Sequence, residues 1–237
     1  MSRTREGRQH SYLKVELVVL ACLLIYIVRT ECIDTATLKA EVLRQVVKVD
    51  RDNLEAYHFL AKHYDVLEQP KKATEAREGI ARLDPTNAKA WVNLGDAYWA
   101  CGQHQNALDA YHRAAAVRPD WPRPYLTLGF AYRDLQRYEE AAEALNRVIA
   151  LKPDTSGLHV ILGEIYEDAG RPDEALAAYE HAVALNPHNA PAHLYLAKAH
   201  LQRGDKDLAL QEYEVLKTLD EDLANQLLSL INKEDQK

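Results

Sequence analysis

Apolar residues in this chain recur at helical spacing, and that recurrence itself repeats. From Leu54 onward they fall three or four residues apart, break at a short polar stretch, and resume. Pairs of amphipathic helices joined by turns produce this pattern. The segment that begins at Ala88 holds Trp91, Leu94, Gly95, Tyr98, Ala107, Tyr111, Ala114 and Pro119. A step of 34 residues forward meets Tyr125, Leu128, Gly129, Tyr132, Ala141, Leu145, Val148 and Pro153. A second step meets His159, Leu162, Gly163, Tyr166, Ala175, Tyr179, Ala182 and Pro187. A third gives His193, Leu196, Ala197, His200, Ala209, Tyr213 and Leu216, and one step backward gives Tyr57, Leu60, Ala61, Tyr64, Ala73, Ile80 and Pro85. Five units without insertion therefore run over 54–221, starting at Leu54, Ala88, Pro122, Ser156 and Ala190.

Within a unit the breaks carry turn chemistry. Gly102 and Gly170 fall where a chain leaving a helix often needs positive φ. Pro85, Pro119, Pro153 and Pro187 close the second helices, because proline cannot continue one. Gly95, Gly129 and Gly163 fall inside first helices, where each costs about 1 kcal/mol relative to Ala. A closely packed second helix, with small Ala107, Ala141, Ala175 and Ala209, explains that cost. At the ends, residues 34–53 read as a degenerate half-repeat, in which Leu43 and Val46 take second-helix positions. Residues 222–237 read as a capping helix, with Leu223, Leu227, Leu228, Leu230 and Ile231 on one side, and a polar tail.

These residues resemble the tetratricopeptide repeat family. Trp91-x2-Leu94-Gly95-x2-Tyr98, followed by Ala107 and Pro119, is its signature, and the resemblance covers about 170 residues. It implies an all-α fold: an α-solenoid, a right-handed superhelix of five 34-residue helix-turn-helix repeats plus the half-repeat and the capping helix. It also implies a non-catalytic protein that binds an extended or helical peptide of another protein on a concave face lined by first helices. The residues this places in the groove are His58, Phe59 and Lys62; Val92, Asn93 and Asp96; Arg123, Leu126, Thr127 and Phe130; Val160 and Ile161; Leu194 and Tyr195. Val92, Leu126 and Val160 share one repeat position and are expected to form an apolar strip. In the chaperone-binding branch five polar residues hold a terminal carboxylate. Asn93 and Arg123 match two of those positions, while His58, Lys62 and Thr127 depart from the other three. The asparagine ladder of the sugar-transferase superhelix is met only by Asn93. A second reading is an assembly subunit that docks through its convex face or end cap.

The amino terminus differs in character. Residues 1–16 are polar and basic, and Leu17 to Val28 is a twelve-residue run without charge, extendable back to Tyr12. This predicts an uncleaved membrane anchor, although a spanning helix usually takes about 20 residues. Members of the family built as an anchor followed by repeats serve in envelope assembly and cytochrome maturation. A cleaved signal peptide and a buried first helix are the alternatives. The lysines and arginines before the run favour a single-pass membrane protein with its repeats on the non-cytoplasmic side.

Charge and cysteines narrow the chemistry. The formal net charge is −7, of which residues 1–33 contribute +2. The remainder carries −9, which argues against a nucleic-acid partner. Cys22, Cys32 and Cys101 form no CxxC pair, so neither a disulfide framework nor a structural zinc site is expected. His159, His193 and His200 occupy repeat positions held elsewhere by aromatic residues and read as packing residues. Glu139, Glu140, Asp173 and Glu174 open second helices, where negative charge suits the helix dipole. No nucleotide, hydrolase or metalloprotease motif is present. No cofactor, metal or small-molecule substrate is therefore expected.

Overall fold

The structure is a computed structural model and describes residues 35–234, in which every regular element is a helix. Before the first full repeat lies α1 (Thr35–Val49). First and second helices then alternate: α2 (Leu54–Val66) and α3 (Pro70–Leu83), α4 (Ala88–Ala100) and α5 (His104–Val117), α6 (Pro122–Asp134) and α7 (Tyr138–Leu151), α8 (Ser156–Asp168) and α9 (Pro172–Leu185), α10 (Ala190–Arg203) and α11 (Lys206–Leu219). The last described helix is α12 (Glu221–Glu234). The fold is an all-α solenoid of helix pairs.

Local chemistry sets the helix ends. Asn53, Asn87 and Asn189 each accept a bond from the backbone N–H three residues on, at Ala56, Ala90 and Ala192, and so cap α2, α4 and α10. Proline opens α3 and α9, where a missing N–H costs nothing. The turn between the two helices of a repeat uses one device five times. One residue at the helix end takes positive φ: Glu68 at 52°, Gly102 at 74°, Gln136 at 58° and Gly170 at 71°, each just after the C-cap, and Gly204 at 82°, the C-cap itself. The following N–H then reaches back to a carbonyl of the last helical turn, from Gln69 to Tyr64, Gln103 to Tyr98, Arg137 to Tyr132, Arg171 to Tyr166 and Asp205 to His200, at 2.8–2.9 Å. This is the 6→1 bond of a Schellman motif.

The chain forms two compact units, one up to Ala110 and one from Tyr111. In the first, α1 packs on α2, α2 on α3 and α3 on α4. Its core gathers Ala40 of α1, Leu60, Ala61 and Tyr64 of α2, Ala73, Ala76 and Ile80 of α3, and Ala90 of α4. In the second, each helix from α6 to α11 packs on its successor, and α12 lies on both α10 and α11. Val160, Ala175, Tyr179, Ala182, Ala192 and Leu196 form one core cluster there. Leu194, Ala209, Leu216, Leu227 and Ile231 form another, under the final helix.

Small residues allow the close approach within a repeat. A Cβ added to Gly129 would stand 3.0 Å from Leu145, and one added to Gly163 would stand 2.3 Å from the Tyr179 ring. Ala141, Ala175 and Ala209 on the facing helices are fully buried.

The expectation of a membrane protein with a single-pass amino-terminal anchor, and with repeats on its non-cytoplasmic side, is corrected. Among the described residues no helix is long and apolar enough to cross a membrane. Residues 17–28 lie outside the described residues.

Candidate partner-binding faces

Every first helix leaves one stripe facing solvent. On α2 it runs through Glu55, Phe59, Lys62 and Val66, all exposed. On α4 the same repeat positions are Lys89, Asn93, Asp96 and Ala100, again all exposed. On α6 they are Arg123, Thr127, Phe130 and Asp134, of which only Thr127 is half-buried. On α8, Ile161 and Glu164 are half-buried between exposed Gly157 and Asp168; on α10, Tyr195 and Lys198 are half-buried between exposed Pro191 and Gln202. The spacing i, i+4, i+7 keeps these positions on one side of a helix.

The apolar strip expected one residue earlier is corrected. Val92, Val160 and Leu194 are buried, and Leu126 is half-buried. The position lies four residues after the first position of the helix, which is buried at Ala88 and Ser156 and half-buried in the other repeats, and three before the buried Gly or Ala, so it shares their inward stripe. Val160 packs among Ala175, Tyr179 and Leu196. Only His58, in the first repeat, is exposed at this position.

In the first unit, α2, α3 and α4 enclose two clefts. One, of about 430 Å³, is lined by Asp65, Thr74, Arg77, Asn93 and Asp96 among others. The other, of about 390 Å³, is lined by His58, Lys62, Arg77, Lys89 and Asn93 over Ala61, Ile80 and Ala90. Arg77 donates to Asp65 at 2.6 Å and forms a wall common to both. Asp65, Arg77 and Lys89 were not expected in the site from sequence. The exposed side chains of Phe59 and Val66 lie on the same stripe as Lys62, with 47% and 67% of their surface free.

In the second unit the charges on the stripes are largely engaged. Arg133 of α6 donates from Nη1 to Glu164 and from Nε to Asp168, each at 2.8 Å. A hydrogen bond to Glu164, then burial, pushes the Tyr195 phenol up to about 12. Tyr195 stacks on Tyr179 with ring centroids 5.5 Å apart, and Lys198 lies 5.0 Å above the Tyr195 ring. Burial raises the Glu167 carboxyl above its ordinary range, against the pull of the Tyr179 hydroxyl and Lys198. Thr127 donates to the Pro124 carbonyl at 2.9 Å, so its hydroxyl is occupied within its own helix. Phe130 remains 41% free.

The histidines that replace aromatic residues are packed. His193 is buried, with its ring nitrogens 2.5 Å from Glu212 Oε2 and 2.9 Å from the Pro187 carbonyl. His159 stacks on His181 at 5.5 Å, and burial, then the neighbouring ring, hold it below the ordinary histidine value. On the second-helix side of this unit a cleft of about 460 Å³ lies between Tyr125, Leu128, Tyr132, Glu143 and Arg147, with His112 bonded to the Tyr132 hydroxyl at 2.8 Å. Among the described residues no group of three or more His, Cys, Asp or Glu is placed to hold a metal ion.

Three family models described as tetratricopeptide repeat match residues 86–154, 126–190 and 166–234. Residues 86–234 are tetratricopeptide repeats. A fourth model, described as a bacterial transcriptional activator domain, matches residues 29–119. No curated protein matches the chain in sequence. Among solved structures, a MamA protein is similar over 73% of this chain and 94% of its own, with 23% identity and a TM-score of 0.61. MamA from Desulfovibrio magneticus RS-1 is similar over 71% of this chain and 96% of its own, with 19% identity and a TM-score of 0.59. YrrB, described as a tetratricopeptide repeat protein with an unusual peptide-binding site, is similar over 80% of this chain and 99% of its own, with 18% identity and a TM-score of 0.60. At these identities the likeness is one of fold.

Proposed function

We propose that this protein is a non-catalytic scaffold that holds a peptide or helix of another protein against the stripes of its first helices. The observation that carries the reading is the exposure of large apolar side chains on those stripes, at Phe59 and Val66 in one unit and at Phe130 in the other. A helix face that packs only within its repeat has no need of an exposed phenylalanine, whereas a partner helix offers it an apolar contact. The peptide-binding site in the description of YrrB supports the same use of the fold. The test is photo-crosslinking in cells from position 130, followed by isolation of the trapped partner. Phe130→Asp is then expected to weaken that partner's binding by more than about 1 kcal/mol, as at a central interface residue, with helicity unchanged. A stable Phe130→Asp protein that keeps full affinity would refute the groove.

A second reading has its own observation. Leu208 and Val215 lie seven residues apart on α11 and are both exposed, on the second-helix side. This suits an assembly subunit that docks through its convex face. Crosslinks from position 208 in place of 130, and loss of the partner in Leu208→Asp, would favour it.

A further inference from the structure

We propose that the cleft between α6 and α7, on the second-helix side, is an anchor site for one tryptophan side chain of a partner protein, seated with its indole N–H toward Glu143. None of the residues that form the cleft lies on a first-helix stripe. The site therefore goes beyond the groove of the first helices and stands or falls separately from it.

The cleft is a gap that other repeats close with their own side chains. Tyr57, His159 and His193 occupy the repeat position of Tyr125, Gly79 and His181 that of Arg147, and Glu212 that of Ala144. In the first repeat the Tyr57 ring covers Gly79, where an added Cβ would stand 2.3 Å from it. In the fourth, His159 and His181 stack with ring centroids 5.5 Å apart. In the fifth, Glu212 reaches His193 at 2.5 Å. The third repeat sets Tyr125 beside the short Ala144 and the exposed Arg147, and about 460 Å³ stays open between them. A volume of that size falls in the range of pockets that hold small ligands.

The walls define what fills the gap. Leu128, Ala144 and Tyr132 are buried and Tyr125 is half-buried, so the inner surface is apolar and aromatic. The Tyr132 hydroxyl is already bonded to His112 at 2.8 Å. Rings pack well on rings, and a ring is what closes the same gap in the first and fourth repeats. At the rim the Arg147 guanidinium lies 5.8 Å from the Tyr125 ring centroid. A cation there favours the π face of an incoming ring, and indole has the strongest such face. Glu143 stands four residues before Arg147 on α7, is exposed, and makes no ion pair or hydrogen bond with any described residue. Its carboxylate accepts hydrogen bonds and donates none. A phenylalanine would leave that acceptor unused, and a basic side chain would meet Arg147. Indole satisfies both groups, with its face to the cation and its one N–H to the carboxylate.

The experiment titrates the full-length protein with three uncharged probes: N-acetyl-tryptophanamide, its 1-methylindole analogue and N-acetyl-leucinamide. The tryptophan probe is expected to shift the amide resonances of His112, Tyr132 and Arg147 saturably while those of Phe59 and Phe130 stay in place. Its indole protons should show nuclear Overhauser contacts to the Tyr125 and Tyr132 rings. The leucine probe should bind about tenfold more weakly, for want of ring packing. The methylated probe should bind about fivefold more weakly, for want of one hydrogen bond. Glu143→Ala should erase the difference between the tryptophan probe and its methylated analogue. Ala144→Met, which extends a side chain where Glu212 stands in the fifth repeat, should abolish binding with circular dichroism unchanged. The absence of saturable shifts at these residues, or equal binding of the leucine probe, would overturn the anchor site. So would full binding by a folded Ala144→Met protein. If Ala144→Met does not fold, the Overhauser contacts in the parent decide, and their absence overturns the site. Equal binding of the methylated probe, or a difference that survives Glu143→Ala, would overturn the indole assignment. Phe130→Asp tests the stripes on their own, so failure of the groove and failure of the anchor site are told apart.

Discussion

A single backbone position shows how the repeat compromises with its sequence. Glu68, Gly102, Gln136, Gly170 and Gly204 stand one repeat apart and all take positive φ. Three are glycine and two are not. An L side chain in this region costs about 1–2 kcal/mol, because Cβ meets the neighbouring carbonyl. The Schellman bond that follows, 2.8 Å from Arg137 to the Tyr132 carbonyl, holds the turn there regardless. Gln136→Gly is therefore expected to stabilise the protein by about 0.5–1 kcal/mol, and Gly170→Ala to destabilise it by about 1 kcal/mol or more. Paired urea titrations decide the matter, and a loss of stability in Gln136→Gly would show that the side chain has a compensating contact. The sequence displayed the three glycines at their spacing. It could not reveal that Glu68 and Gln136 share their conformation, since neither residue type advertises positive φ.

At the scale of the element, each first helix is sorted into a packed face and a free stripe by what its second helix leaves room for. Gly163 is the tightest example, since a Cβ there would stand 2.3 Å from the Tyr179 ring and Tyr179 is itself fully buried. Gly163→Ala should improve helix propensity by about 1 kcal/mol, yet the overpacking should cost about 1–3 kcal/mol. A net fall in melting temperature is expected, and Gly163→Ala combined with Tyr179→Phe should not recover it, because the ring and not the hydroxyl fills the space. A rise in melting temperature on Gly163→Ala would mean that α8 and α9 have space to separate. The same sorting explains the misplaced apolar strip. Val92, Val160 and Leu194 are apolar because they are core, whereas Phe59, Val66 and Phe130 are apolar and free. Composition alone does not separate these two kinds of residue.

At the scale of the molecule, a chain of neighbour contacts has ends, and its ends need covers. α12 supplies one, burying Leu227 and Ile231 against Leu216 of α11 and Leu194 of α10. Each such side chain is worth about 1.5–3 kcal/mol on burial. Deleting residues 221–237 should cost several of these contacts and destabilise α10 and α11 first. Hydrogen exchange should show faster amide exchange there and unchanged protection in α2 and α3. A uniform loss of protection along the chain would mean that the repeats fold as one cooperative block. The amino-terminal end offers the contrast. Ala40 of α1 is buried against the first repeat, while the apolar run from Leu17 to Val28 gave an expectation of membrane insertion that no described helix supports.

The one-dimensional pattern was enough to determine the fold class, because a 34-residue period of small, large and turn-forming residues is the pattern of stacked helix pairs. Asn caps, prolines and the small residues at helix crossings act within a few residues of themselves, so their roles are visible in sequence. Sequence also placed Phe59, Lys62, Asn93, Asp96 and Phe130 on first helices at positions that the structure leaves exposed. Which apolar side chains stay free was decided only in three dimensions, since it depends on how closely a second helix approaches. So was the company of charges. Asp65 and Arg77 stand twelve residues apart on different helices, and Arg133 meets Glu164 and Asp168 from the next repeat. Tertiary packing alone determines that these cations are spent while Lys62 and Lys89 remain unpaired beside one cleft, because a charge is cancelled by what lies near it in space and not by what lies near it along the chain.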